Sequence, residues 1–275
     1  MVKTKSTQNT FQTRLQRVLP AVVVLIAILL LWEVITRAAG VPSYVLPAPS
    51  RVFRALLTDR AALLRHSRVT LFETITGLIL ATIIGILLAV IMDLSGLARR
   101  AIWPLLVITQ SVPVIALAPI FMIYLGFGIA PKILTVVLMC FFPIAVSFTE
   151  GLNSVHPAGQ ALLTSFGASR LQLYTFSRIP AAVSSLFSGL RVAATYSMSG
   201  ALVGEWLSAE EGLGYYMLRV NNAFQLDRVF ASIIVVIIWG LLLNFSVALI
   251  RALIEPGTGL IWKLRRIYRQ KQHLS

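Results

Sequence analysis

The sequence predicts an all-α, polytopic membrane protein of about six transmembrane helices. Composition is the first reason. Of 275 residues, 57% are hydrophobic and 12% charged, with a mean hydropathy of +0.85, whereas soluble domains sit near about 45–50% apolar and 25% charged. A water-soluble chain this poor in charge could not cover its own surface. The second reason is spacing: the apolar residues gather in runs near the length that crosses a bilayer core, about 20 residues.

The runs follow in order. The first, about 18–35, comes after a polar tail carrying Lys3, Lys5, Arg14 and Arg17. Its apolar core is long for a signal peptide and no small-x-small cleavage site follows, so it reads as an uncleaved anchor. Next, residues 49–70 mix Arg51, Arg54, Arg60, Arg65 and Arg68 with Val52, Leu56, Leu57, Leu63 and Leu64, the pattern of an amphipathic helix lying on the membrane surface. Five further apolar runs cover about 70–92, 102–127, 133–149, 186–207 and 229–254. The expected organisation is a cytoplasmic tail over 1–17, an anchor over 18–37, an extracytoplasmic amphipathic segment over 38–69, a core over 70–254 with a loop at 150–185, and a basic cytoplasmic tail over 255–275. Placing both termini in the cytoplasm puts fifteen of the 24 Lys and Arg inside, as the positive-inside rule favours. The five arginines between Arg51 and Arg68 stand against that rule.

Two runs carry small residues every fourth position: Gly77, Ala81, Gly85 and Ala89, then Gly189, Ala193, Ser197 and Ala201. That spacing lets helix backbones approach closely where lipid supplies no hydrophobic drive, so it points to packing before function. The third run holds Pro104, Pro113 and Pro119 around Gln110 and Ser111. Proline removes a backbone donor and kinks a helix, and in a membrane the freed carbonyls need protein or water partners. Two readings follow: a bent helix beside a polar cavity, with Gln110, Ser111 and Pro113 on a solute path, or a structural kink.

Enzyme chemistry is poorly supported. His66, His156 and His273 fall in predicted loops or the tail, there is no His-Glu-x-x-His or Gly-x-Ser-x-Gly, and no Gly-Lys dipeptide for a nucleotide-binding loop. Cys140 is the single cysteine, which excludes an intrachain disulfide and thiolate clusters; in an apolar run it reads as a buried, inert thiol. No metal site is expected. The net charge of +14 follows from membrane-flanking arginines and lysines, with no basic-aromatic interleave of the kind that binds nucleic acid. An ion-coupled carrier is the competing class, and such proteins place ionisable groups inside the membrane. Glu33, Glu73 and Asp93 lie near segment ends. Glu205, in Gly204-Glu205-Trp206 near the outer end of the fifth segment, is either a path residue or an interfacial carboxylate beside an aromatic anchor.

The loop at 150–185 is not featureless. Pro157 suits the first position of a helix, and Leu162, Leu163 and Phe166 give it an apolar face that Gly167-Ala168 ends. Ser169-Arg170-Leu171-Gln172 is a Ser-x-x-Gln capping box for a second helix carrying Leu173, Phe176 and Ile179, with Pro180 near its end. Two short helices with exposed apolar side chains need either a partner or the bilayer surface to cover them.

Here a resemblance enters. Gly167, nine residues, then Ser177-Arg178-Ile179-Pro180 resembles the signature of ABC importer permeases, Glu-Ala-Ala, three residues, Gly, nine residues, Ile-x-Leu-Pro. Ala161-Leu162-Leu163 stands in place of Glu-Ala-Ala, and Ser177 in place of the Ile. Over about 32–255 the chain is similar to the nitrate/sulfonate/taurine-type branch: Val41-Pro42, Leu46-Pro47-Ala48-Pro49-Ser50, Gln110-Ser111-Val112-Pro113, Ala118-Pro119, Phe141-Phe142-Pro143, Gly204-Glu205-Trp206 and Gly212-Leu213-Gly214. Phe142-Pro143-Ile144, Glu150-Gly151-Leu152 and Glu205-Trp206-Leu207 look most like permeases for thiamine's pyrimidine precursors, with sulfonate, taurine, nitrate and riboflavin permeases close behind. The resemblance implies the type I importer permease fold in a bacterial cell membrane, with a cytoplasmic coupling hairpin. Its partners would be a cytoplasmic ATPase dimer that binds ATP and Mg, an extracytoplasmic solute-binding protein and a second copy of the chain. ATPase docking would fall on Ala161, Gly167, Ala168, Arg170, Phe176, Ile179 and Pro180.

Overall fold

The computed structural model describes the backbone of residues 6–208 and 210–254 and the side chains of residues 19–207 and 210–254. Among the described residues all regular structure is helical: α1 (Ser6–Ala38), α2 (Pro49–Thr58), α3 (Arg60–Leu94), α4 (Gly96–Ser111), α5 (Val114–Leu125), α6 (Ile129–Asn153), α7 (Pro157–Ser165), α8 (Arg170–Leu173), α9 (Ile179–Ser208), α10 (Leu213–Asn222) and α11 (Leu226–Ile254). The basic tail over 255–275 and His273 lie outside the described residues.

Among the described residues four helices are long and apolar enough to cross a membrane: the Leu19–Ala38 part of α1, then α3, α6 and α11. The pair α4–α5 makes a fifth if it is one broken span, bent by 99°. The break falls at Val112–Pro113, so the expected bend in the proline-rich segment is present and sits beside Gln110 and Ser111. The remaining expected segment, the fifth (about 186–207), lies within α9, whose thirty residues give a length of about 45 Å, enough to cross. It is less apolar than the others because its small and polar residues are turned onto protein.

The chain divides into two compact units, one of residues up to Leu63 with Met217–Ile233, the other of Leu64–Tyr216 with the chain from Ile234. In the first, the Glu33 carboxylate of α1 reaches the start of α2. Its oxygens accept from the Ser50 backbone N–H at 2.9 Å and the Ser50 hydroxyl at 2.7 Å. An anion on the unpaired donors of a helix N-terminus satisfies both the hydrogen bonds and the helix dipole. Trp32 and Phe230 pack with ring centroids 5.5 Å apart, and Arg228 pairs with Asp59 at 2.9 Å. The amphipathic stretch expected over 49–70 is not one helix. It breaks at Asp59, which ends α2, and residues 60–69 are the first turns of α3.

In the second unit α6 is the central helix, half of its apolar window being buried. Both small-residue stripes face it. A Cβ on Gly77 would lie 2.5 Å from Val136 Cβ, one on Gly85 2.9 Å from Ile144 Cγ2, and one on Gly189 2.6 Å from the Pro143 carbonyl oxygen. The helices α3 and α9 therefore clasp α6 from two sides at backbone-contact distance, as small-xxx-small packing does. Cys140 is fully buried there, its thiol 3.3 Å from the Ala193 carbonyl.

Gly189→Val should destabilise the chain by about 1–3 kcal/mol through overpacking, because the new carbons meet backbone. Gly240, where a Cβ would meet nothing within 4 Å, should accept Ala without loss. Thermal unfolding in detergent compares the two.

Candidate functional site

The hairpin between α6 and α9 is built as its residues dictate. His156 caps α7, its Nδ1 accepting from the Ala158 N–H at 3.2 Å, and Pro157 follows at the first turn. Gly167 has φ +82°, a left-handed conformation that glycine adopts without strain, and the chain turns there. The capping box then closes in both directions: Gln172 N–H donates to Ser169 Oγ at 3.3 Å, and Ser169 N–H to Gln172 Oε1 at 2.8 Å.

The second half departs from expectation. Pro180 does not end a separate helix. α8 passes through a π turn at Tyr174–Arg178 straight into α9. The wider π turn accommodates the ring and missing donor that Pro180 brings to a helix interior. The hairpin is thus one short helix folded against the extended start of α9.

Of the expected docking residues, Ala161, Gly167, Arg170, Phe176, Ile179 and Pro180 are exposed and Ala168 is half-buried. Phe166 and Phe176 are 79% and 77% exposed, and α7 buries no residue at all. The hairpin presents two phenyl rings that nothing among the described residues covers.

Gln110, Ser111 and Pro113 lie together at the bend between α4 and α5, and all three are exposed. Glu205 does not join them. It is 1% exposed, and its oxygens accept from Thr70 Oγ1 at 2.6 Å and the Gly214 N–H at 2.5 Å. The neighbouring donors at the start of α10 are also taken: Gly212 N–H by His66 Nδ1 at 3.1 Å and Leu213 N–H by Thr70 Oγ1 at 2.8 Å. Side chains of α3 and α9 thereby satisfy the N-terminus of α10. Gly212, at φ +120°, admits the carboxylate because it has no Cβ. Both oxygens of Glu205 are thus engaged in this cap, away from the bend at Gln110 and Ser111.

Beside it lies an ion pair that the sequence reading passed over. Lys132 Nζ is 3.0 Å from Glu73 Oε1, with side-chain exposures of 9% and 1%. Glu205 reaches the same helix, α3, through Thr70. Lys132 reads as a loop residue, yet it is buried in the first turn of α6. His66, expected in a loop, is likewise buried in α3, its ring centroid 5.3 Å from that of Tyr216. The available signal was one basic and two acidic residues at matching depths of three apolar segments, since charges inside a membrane are kept in partnership.

Lys132→Met leaves the Glu73 carboxylate buried without its cation and should cost about 3–5 kcal/mol. The double variant Glu73→Gln/Lys132→Met should recover most of that loss. Unfolding of the purified variants measures both.

Comparison with known proteins accords with this architecture. Residues 81–259 match the family described as binding-protein-dependent transport system inner membrane component. The chain is 35% identical over 231 residues to a Haemophilus influenzae protein described as a probable ABC transporter permease protein, covering 84% of this chain and 94% of that one. It is 38% identical to the formylaminopyrimidine transport permease protein ThiX of Halalkalibacterium halodurans, over 78% of this chain and 86% of that one. With the taurine transport system permease protein TauC of Escherichia coli the identity is 28%, over 86% and 88% of the two chains. A polytopic helical core carrying the signature Gly and Pro on an exposed hairpin, matched over these lengths, places the chain in the family of binding-protein-dependent transport system inner membrane components, the permease subunits of ABC transporters.

Proposed function

We propose that this permease works in an ATP-driven importer of a small organic solute, most closely a pyrimidine precursor of thiamine. The single observation that carries the docking part is the hairpin with its uncovered Phe166 and Phe176. Apolar side chains left this uncovered by the bundle suit a protein contact, and a cytoplasmic ATPase dimer binding ATP and Mg is the partner that fits a permease. Docking then involves Ala161, Gly167, Ala168, Arg170, Phe176, Ile179 and Pro180. The hairpin side of the bundle faces the cytoplasm, so both termini are cytoplasmic as well, and a solute-binding protein meets the opposite face. A second copy of the chain completes the path, with the bend at Gln110, Ser111 and Pro113 contributing to its lining. ATP-driven closure of the ATPases shifts the permease only if its two states differ in their contacts with the ATP-bound partner; the hairpin supplies that contact.

The pyrimidine assignment rests on the 38% identity to the formylaminopyrimidine permease. The second reading, a sulfonate such as taurine, rests on the 28% identity to the taurine permease. Calorimetry on the binding protein of the same system separates them: formylaminopyrimidine should bind and taurine should not, and the reverse would assign the sulfonate.

Phe176→Asp should leave folding and membrane insertion unchanged while reducing ATPase co-purification at least about tenfold. That corresponds to removing a well-buried aromatic from an interface, about 1.4 kcal/mol or more. A variant that retains the ATPase at wild-type levels would place docking elsewhere. Transport that survives without ATP but collapses with the proton gradient would instead favour an ion-coupled carrier.

A further inference from the structure

A third buried acid lies at the hairpin end of the bundle. Asp93 lies one residue before the end of α3, and its side chain is 3% exposed. A carboxylate there is unfavourable twice over, being buried and set at the negative end of a helix dipole. One group answers it. Arg178 Nη1 donates to both Asp93 oxygens, at 3.1 and 2.9 Å.

Arg178 is the last residue of the π turn. This turn is where the continuous helix running from α8 into α9 is weakest, because a π turn departs from the regular i→i−4 ladder and Pro180 withholds a further donor. On the bundle side, the Tyr174 ring packs with Ala89, Phe148, Leu152 and Ala182. On the other side, a cavity of about 600 Å³ bordered by Asp93, Gln160, Arg170 and Tyr174 separates the hairpin from the end of α3. The hairpin therefore has room to tilt at the π turn, and the described polar tie from that joint to α3 is the Asp93–Arg178 pair, beside the apolar contact of Tyr174 with the cluster that includes Ala89 of α3.

We propose that Asp93 and Arg178 are positioning residues for energy coupling: their ion pair braces the π turn, so that a push on the hairpin is delivered to α3 and α9 instead of being spent as local bending. The inference rests on the reading of the hairpin as the ATPase-docking element. It is not a restatement of it, since neither side chain need touch the ATPase. The brace acts at the end of α3 opposite to Glu73. Asp93 lies twenty residues beyond Glu73, about 30 Å along the helix. A displacement imposed at the hairpin would thus reach the far end of α3 along one rigid element.

The test reads the joint directly. Spin labels are placed on Leu171→Cys, exposed on α8, and Leu87→Cys, exposed on α3; native Cys140 is buried and does not compete for label. In the full chain the distance distribution should be narrow. Asp93→Asn should broaden it about twofold, the scale of a loosened local element. Asp93→Glu should keep it narrow, and the charge swap Asp93→Arg/Arg178→Asp should restore it, which a general folding defect would not allow. In the complex with the ATPase, ATP with vanadate should leave the wild-type distance unchanged and shift it in Asp93→Asn, while the variant still co-purifies with the ATPase. The proposal is overturned if Asp93→Asn stays as narrow as wild type, if the charge swap fails to restore the width, or if the wild-type distance shifts with ATP and vanadate. Failure of the wild-type chain to bind an ATPase would defeat the docking reading alone and leave the label comparison on the isolated chain readable.

Discussion

The packing of the bundle depends on a charge that has nowhere else to go. Lys132 enters the first turn of α6, the helix that both neighbours enclose, and is nearly sealed from solvent. Its position is tolerable only while Glu73 faces it from α3, because an unpaired buried charge costs several kcal/mol where a paired one comes close to breaking even. That pairing fixes the relative height of α3 and α6. The small-residue stripes then become useful, since Gly77 meets Val136 and Gly85 meets Ile144 only at this register. Glu205 extends the constraint to α9 and, through the Gly214 N–H, to the start of α10. A polar cluster at one end therefore sets the alignment that backbone contact maintains along the rest of the bundle.

The opposite end follows a different logic. There the chain leaves apolar surface uncovered on α7 and around the π turn, and buries only what anchors the second half of the hairpin: Tyr174 against the bundle and Arg178 against Asp93. One end of the second unit is closed by its own side chains. The other leaves Phe166 and Phe176 uncovered among the described residues. The proposed docking of an ATPase needs this asymmetry, because a bundle with both ends sealed would have no surface through which to receive a push.

Much of this was legible in the sequence, for identifiable reasons. Small residues at every fourth position and prolines flanking Gln110 are local patterns with direct backbone consequences, and the stripes and the 99° bend both appear. The capping box at Ser169–Gln172 is likewise a local rule. What escaped was non-local. Lys132 beside Pro131 looks like a loop cation until Glu73 is placed opposite it. Arg60–Arg68 looks like surface helix until Arg65 is seen paired with Glu211 at the start of a thirty-five-residue helix. Pro180 reads as a stop signal because the π turn that absorbs it has no sequence signature of its own. The cap made by Glu205, which reads either as a path residue or as an interfacial carboxylate, escaped for the same reason: its partners, Thr70 and Gly214, are distant or follow a turn.

The exposed hairpin serves energy coupling only if it has a nucleotide-hydrolysing partner. The direct measurement is to extract the chain from its native membrane in mild detergent and identify by mass spectrometry what accompanies it. A co-purifying subunit with a Gly-x-x-x-x-Gly-Lys-[Ser/Thr] phosphate loop, lost on Phe176→Asp, is the predicted result. A chain that emerges alone and still transports solute would contradict it.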